Sequence, residues 1–199
     1  MFIKCFYCGE DGMAKFFMWL NGFDFRKLVW VVPIVLCLHE LEEWNMLDWY
    51  RQHQFDIGSL TNLDARTWLL FISLVGFVWT ACSLIPRNKK ITAYIIMPLI
   101  VFMLGNGVQH LVWVISYWSY QPGFIFGAIV TLPVYSYVIF RAVRDKLTPI
   151  WYPLVLLAVV FIPGLIDFAK SLITKEKAPP ASIHALHEFS QWLARKLWY

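Results

Sequence analysis

From residue 28 onward the chain alternates between long apolar runs and short polar connections. A run of roughly 20 apolar residues is the length that crosses about 30 Å of hydrocarbon at 1.5 Å rise per residue. Five such runs are present, at Leu28 to Leu47, Trp68 to Ile85, Ile91 to Trp118, Phe124 to Phe140 and Trp151 to Phe168. The third exceeds the required length and is expected to tilt or to emerge from the membrane. After Pro179-Pro180, the residues Ile183, Leu186, Phe189, Leu193 and Leu197 recur at helical spacing, with Trp192, Trp198 and Tyr199 alongside. That spacing predicts an amphipathic helix lying at the membrane interface. The expected fold class is therefore all-α, a polytopic membrane helix bundle of about five transmembrane helices plus this interfacial helix. Residues 1–27 read as an N-terminal tail, 28–170 as the transmembrane domain and 171–199 as a tail carrying the amphipathic helix.

Composition agrees with this pattern. Of 199 residues, 59% are hydrophobic and only 15% charged, against about a quarter charged in a soluble domain. The net charge of +4 comes from basic residues dispersed in short groups, which fits loop arginine and lysine and argues against a nucleic-acid surface. Lys4, Lys15, Arg26 and Lys27 precede the first run, Arg87, Lys89 and Lys90 follow the second, and Arg141, Arg144 and Lys146 follow the fourth. Only Arg51 and Arg66 fall in the other connections. The positive-inside rule then predicts a multi-pass cell-membrane protein with a cytoplasmic N-terminus. Five spans would put the C-terminus outside, although Lys170, Lys175, Lys177, Arg195 and Lys196 pull the other way. The segment before residue 28 carries too many charges for a signal-peptide core. Met13-Ala14-Lys15 offers an alternative start. Cys5-Phe6-Tyr7-Cys8 is a lone CxxC with no second ligand pair for structural zinc.

The candidate chemistry lies inside the apolar runs. His39, Glu40, Glu42 and Glu43 interrupt the first, where ionisable groups cost several kcal/mol unless paired or used. On a helix His39, Glu42 and Glu43 share an arc of about 100°, with Glu40 at its edge. In the third run Asn106 and His110 stand at i and i+4, flanked by Gly105 and Gly107, which allow close helix approach. If the first and third spans run in the same direction, both groups fall in the outer half of the membrane and can meet. The simpler alternatives are a helix end dipping into the headgroups and amide hydrogen bonds serving packing alone. Asp167 in the fifth run is a candidate third contributor, read in preference as a residue snorkelling near the surface.

His39-Glu40-Leu41-Glu42-Glu43 and Asn106-Gly107-Val108-Gln109-His110 resemble H-x-x-E-E and N-x-x-x-H, the two signatures of the HXXEE-motif family of bacterial and archaeal membrane proteins. The resemblance covers most of the chain and marks His39, Glu42, Glu43, Asn106 and His110 as the characteristic polar residues. It supplies no reaction, since that family is of uncharacterised function.

Two imidazoles and two carboxylates suit one Zn or Fe ion with an open position. The expectation is a membrane metalloenzyme, a hydrolase or lipid-modifying enzyme acting on a lipid-like substrate. His39, His110 and one of Glu42 or Glu43 would be ligands, the other glutamate a general base, and Asn106 an orienting group. Histidine-box di-iron enzymes need more histidines than the five present. CAAX-processing proteases use E-E-x-x-x-R, and Leu47 stands where the arginine would be. A metal-free lipid isomerase remains open, as does proton-coupled transport or ligand binding, which uses the same residue types. Oligomeric state is not written in the pattern.

Overall fold

The computed structural model describes residues 21–53 and 57–174, with side chains through residue 162 of the last helix. The expected interfacial helix and the CxxC lie outside the described residues, and so does the alternative start. Within them the fold is all-helical, as expected. The elements are α1 (Phe25–Leu28), α2 (Val31–Glu42), α3 (Met46–Gln52), α4 (Asn62–Leu84), α5 (Lys89–Tyr117), a π-helical segment (Phe124–Val130) continuing into α6 (Thr131–Arg144), and α7 (Trp151–Thr174). Three of these are long and apolar enough to cross a membrane: α4, α5 and the joined π-segment and α6. The apolar stretch Trp151–Ile162 opens α7. The run expected as the first span is divided into α1, α2 and α3, and α2 has only 12 residues.

The division has a tertiary cause. No Gly or Pro stands between α2 and α3; instead Arg66 of α4 meets the break, its Nε donating to the Trp44 carbonyl at 3.3 Å and its Nη2 to Asn45 Oδ1 at 2.7 Å. Its guanidinium also lies 5.3 Å from the centre of the Trp44 ring. The first of these contacts satisfies a backbone carbonyl that the interrupted helix leaves open, and the others hold Arg66 at the break. Pro98 inside α5 is accommodated in a similar way. It cannot donate to Tyr94, and the Tyr94 carbonyl accepts instead from the Tyr152 hydroxyl of α7 at 3.1 Å.

The core joins α1, α2, α5 and α6 around Val29, Leu36, Ile96, Ile100 and Tyr135, all fully buried. Tyr135 donates its hydroxyl to the Val32 carbonyl at 2.7 Å, fastening α6 to α2. Large apolar side chains such as Leu70, Leu74, Phe102 and Ile115 point outward, the inverse of a water-facing surface and consistent with a lipid environment. At one end Lys89 pairs with Asp24 at 2.5 Å, and Arg141 and Arg144 pair with Asp145. A second, aromatic cluster of Trp49, Tyr50, Trp113 and Tyr117 packs α3 against α5.

Candidate metal centre

His39 and Glu43 come from the last turn of α2 and its C-cap, one helical turn apart, so both project toward α5. Asn106 and His110, again one turn apart, face them from α5. Their side chains meet: Asn106 Nδ2 lies 2.7 Å from His39 Nε2, His110 Nε2 lies 3.2 Å from Glu43 Oε1, and His39 Nε2 lies 4.0 Å from Glu43 Oε2. The two imidazoles stand edge to face with centres 4.8 Å apart. His39 is wholly buried and His110 is 2% exposed.

The third wall is the connection after α5 and the π-segment it leads into. Gln121, itself 2% exposed, places Oε1 3.0 Å from His110 Nδ1. Two glycines bring the backbone onto the rings. Gly123 has φ +89°, and a Cβ there would lie 2.5 Å from His110 Cε1 and 2.7 Å from Glu43 Oε1. A Cβ on Gly127 would lie 2.7 Å from His39 Cε1 and 2.9 Å from His110 Cδ2. Gly107 serves the same approach from α5, where an added Cβ would strike the Gly127 carbonyl. Gly105 instead admits Val160 of α7. Close packing through small residues is how membrane helices build a site between them, and π-helical turns often mark such places.

Glu42 stands apart from this group. It accepts from the Tyr120 hydroxyl at 2.6 Å and from the backbone N–H groups of Ile125 at 3.0 Å and Phe126 at 2.7 Å. An anionic side chain on the open N–H groups of a helix start is a stabilising arrangement. Glu40 is buried in the last turn of α2 and is not part of the group of ligand atoms. Among the described residues, the group that could hold a metal ion is His39, Glu43 and His110, whose ligand atoms lie within 4.8 Å of one another.

The donor set fits a divalent ion. In tetrahedral coordination with bonds near 2.0–2.2 Å, ligand atoms stand roughly 3.3 Å apart. The His110 to Glu43 distance already matches, and the widest separation in the group, 4.8 Å, would close by about 1.5 Å. Two details of hydrogen bonding agree. If Gln121 Oε1 accepts from His110 Nδ1–H, then Nε2 turns a lone pair toward a carboxylate oxygen, a contact that requires a proton or a cation between them. His39 Nδ1 is buried without a hydrogen bond, and Nε2 is the ring nitrogen that meets Asn106 and Glu43.

Of the five residues singled out from the sequence, four converge here and Glu42 braces the neighbouring segment. Gln121, Tyr120, Gly123 and Gly127 were not among them. The signal that could have found the last two is Gly123-Phe-Ile-Phe-Gly127, a small-xxx-small pattern at the start of an apolar run. Comparison with curated proteins and with solved structures gives no match. The sequence profile of a family described as "protein of unknown function with HXXEE motif" matches residues 30–138, a stretch that carries both motifs, Gln121 and the two glycines. That stretch is more than half of the 199 residues, and the chain belongs to the HXXEE family.

Proposed function

We propose that this protein is an integral membrane metalloenzyme that modifies or hydrolyses a lipid-like substrate, with its N-terminus in the cytoplasm. The observation that carries the reading is the convergence of His39, His110 and Glu43 in a buried setting between apolar helices, His39 Nε2 and His110 Nε2 both turned toward Glu43. His39, Glu43 and His110 would hold a Zn or Fe ion. When bound, such an ion supplies Lewis acidity toward an ester or phosphoryl oxygen, or toward water.

The chain's own residues divide the remaining work. Glu43 contributes the negative charge that a divalent ion needs inside the membrane. Asn106, whose amide now contacts His39 Nε2, would turn its Oδ1 toward the ion or toward a substrate donor. Gly123 and Gly127 bring the backbone against the imidazoles and so close the site from one side. Glu42, with three donors already on its carboxylate, is better suited to bracing than to taking a proton. A lipid-like substrate fits because the residues lie within apolar helices and the connections around them are short.

A second reading rests on the 3.2 Å contact between His110 and Glu43, which is also the geometry of an ion pair sharing a proton. This would suit a metal-free isomerase or proton-coupled ligand binding. Lipid analysis tests the enzymatic reading. In a deletion strain one lipid class should change, returning to normal with the wild-type gene and not with Glu43→Gln expressed at the same level. Unchanged lipids in the deletion strain would remove the proposed substrate class and favour the second reading.

A further inference from the structure

The two imidazoles are sealed in this conformation. His39 is wholly buried and His110 is 2% exposed, so a lipid-like molecule meets them only after a wall of the site has moved. Two walls, α2 and α5, are committed to the central core through the fully buried Leu36 and Ile100. The third wall has two parts. Its π-segment touches α5 backbone to backbone, at Gly127 and Gly107. Its other part, residues 118–123 between α5 and the π-segment, is packed differently. Trp118 is 90% exposed and Tyr120 55%, and side-chain hydrogen bonds fasten the stretch to its neighbours. The Tyr120 hydroxyl donates to Glu42 at 2.6 Å, and the Tyr120 carbonyl accepts from Trp49 Nε1 at 2.9 Å. Ser119 Oγ lies 3.3 Å from His53 Nε2, and Gln121 Oε1 lies 3.0 Å from His110 Nδ1.

From this geometry we propose that residues 118–123 form a hinged strap that lifts from the site to admit a lipid-like ligand, with Trp49 and Glu42 as its latches. The ends of the strap are the places where the backbone is left-handed, φ +49° at Trp118 and φ +89° at Gly123. A non-glycine residue is strained in that region, so rotation at Trp118 relieves strain, while the glycine turns without steric cost. Past Gly123 the chain is anchored again, because the Ile125 and Phe126 N–H groups donate to Glu42. Lifting the strap therefore breaks a few hydrogen bonds at a partly exposed rim, whereas parting α2 from α5 would open the core. The motion carries Gln121 away from His110 and uncovers that imidazole. Trp118 and Tyr120, which move with it, are of the amphipathic aromatic type favoured where lipid meets water. Closure of such a segment over a bound ligand is a common way to complete a site.

The role of the strap rests on the proposed function, but its lifting is measured without metal or substrate. In the full chain with Cys5, Cys8, Cys37 and Cys82 replaced by alanine, a single cysteine is placed by Gln121→Cys on the strap or by Ile100→Cys in the core, two positions that are 2% and 0% exposed. Each protein is held in lipid nanodiscs and reacted with N-ethylmaleimide, and the rate is divided by that of the same cysteine in the unfolded chain. A strap that lifts by itself makes Gln121→Cys react about ten-fold faster than Ile100→Cys, or more, since only the second waits for global opening. Trp49→Phe removes the donor to the Tyr120 carbonyl, and Tyr120→Phe removes the hydroxyl on Glu42. Each should raise the Gln121→Cys rate about two- to ten-fold, the loss of one hydrogen bond, and leave Ile100→Cys unchanged. A merely structural role for Trp49 and Tyr120 would instead raise both cysteines together. Equal rates at the two cysteines, rates that rise together, or a Gln121→Cys rate that neither variant changes overturns the strap. Should Trp49→Phe not fold, Tyr120→Phe decides, since it removes one oxygen from an exposed side chain. Unchanged lipids in the deletion strain would count against the proposed function and the class of ligand while leaving these rates as measured.

Discussion

At the scale of single residues, the site depends on what is missing from two side chains as much as on what the polar ones offer. Gly123→Ala and Gly127→Ala would each drive a methyl group into an imidazole, and at Gly123 the backbone also sits at φ +89°, where L-residues are strained. Gly58 has φ +55° but nothing within 4 Å of an added Cβ. We therefore expect Gly127→Ala to lower stability by about 1–3 kcal/mol through overpacking, and to weaken Co(II) binding followed by absorption spectroscopy. Gly58→Ala should cost about 1–2 kcal/mol from backbone strain with Co(II) binding unchanged. Equal Co(II) affinity in wild type and Gly127→Ala would show that the glycine does not bear on the imidazoles. The titratable residues are legible in the sequence because charge in an apolar run is conspicuous. Gln121 and the glycines are not, since their importance comes from His110 of α5 and from His39 and Glu43 of α2, which only the fold brings against them.

At the scale of elements, periodicity and length locate α4, α5 and α6 from the apolar pattern alone. The same pattern joins α1, α2 and α3 into one span, because nothing local announces the break at Glu43 to Asn45; its partner, Arg66, arrives from α4. The π-segment is hidden for a related reason, its start being held by Glu42. Helix ends outside the apolar region offer a cleaner electrostatic test. Asp24 caps α1 by accepting from the Arg26 N–H at 2.8 Å, and the Lys89 ammonium beside it holds its carboxyl below the usual carboxylate range. A carboxyl depressed in the folded state contributes stability above its unfolded value, and that contribution disappears as pH falls through the folded one. With Asp24 and Lys89 both more than a third exposed, screening limits the effect to less than about 1 kcal/mol. Thermal melts should show wild type slightly more stable than Lys89→Met at pH 6. The gap should close below about pH 4, and also in high salt. A gap independent of pH would assign the difference to packing.

At the scale of the whole molecule, the basic residues Arg26, Lys89, Arg141 and Arg144 gather at one end of the bundle, together with Asn21 and Asp24, while Trp49, Ser119 and Tyr120 meet toward the other. This is the grouping that the distribution of lysine and arginine anticipates for one membrane face. The site lies where α2, α5 and the connection into α6 converge, so it exists only in the assembled bundle. The meeting of the first and third apolar runs is readable in advance from motif spacing and common direction, whereas the contribution of the connection is a product of the fold. The central claim is that His39, Glu43 and His110 bind one divalent metal ion and that Glu42 does not. Elemental analysis of protein purified without chelators, for wild type and for His39→Ala, His110→Ala, Glu43→Gln and Glu42→Gln, tests it most directly. The expected result is about one equivalent of zinc or iron in wild type, a loss of ten-fold or more in the three ligand variants, and metal retained in Glu42→Gln, reduced only through affinity. Metal-free wild type that takes up neither ion when supplied, or Glu43→Gln with the same content as wild type, would contradict it.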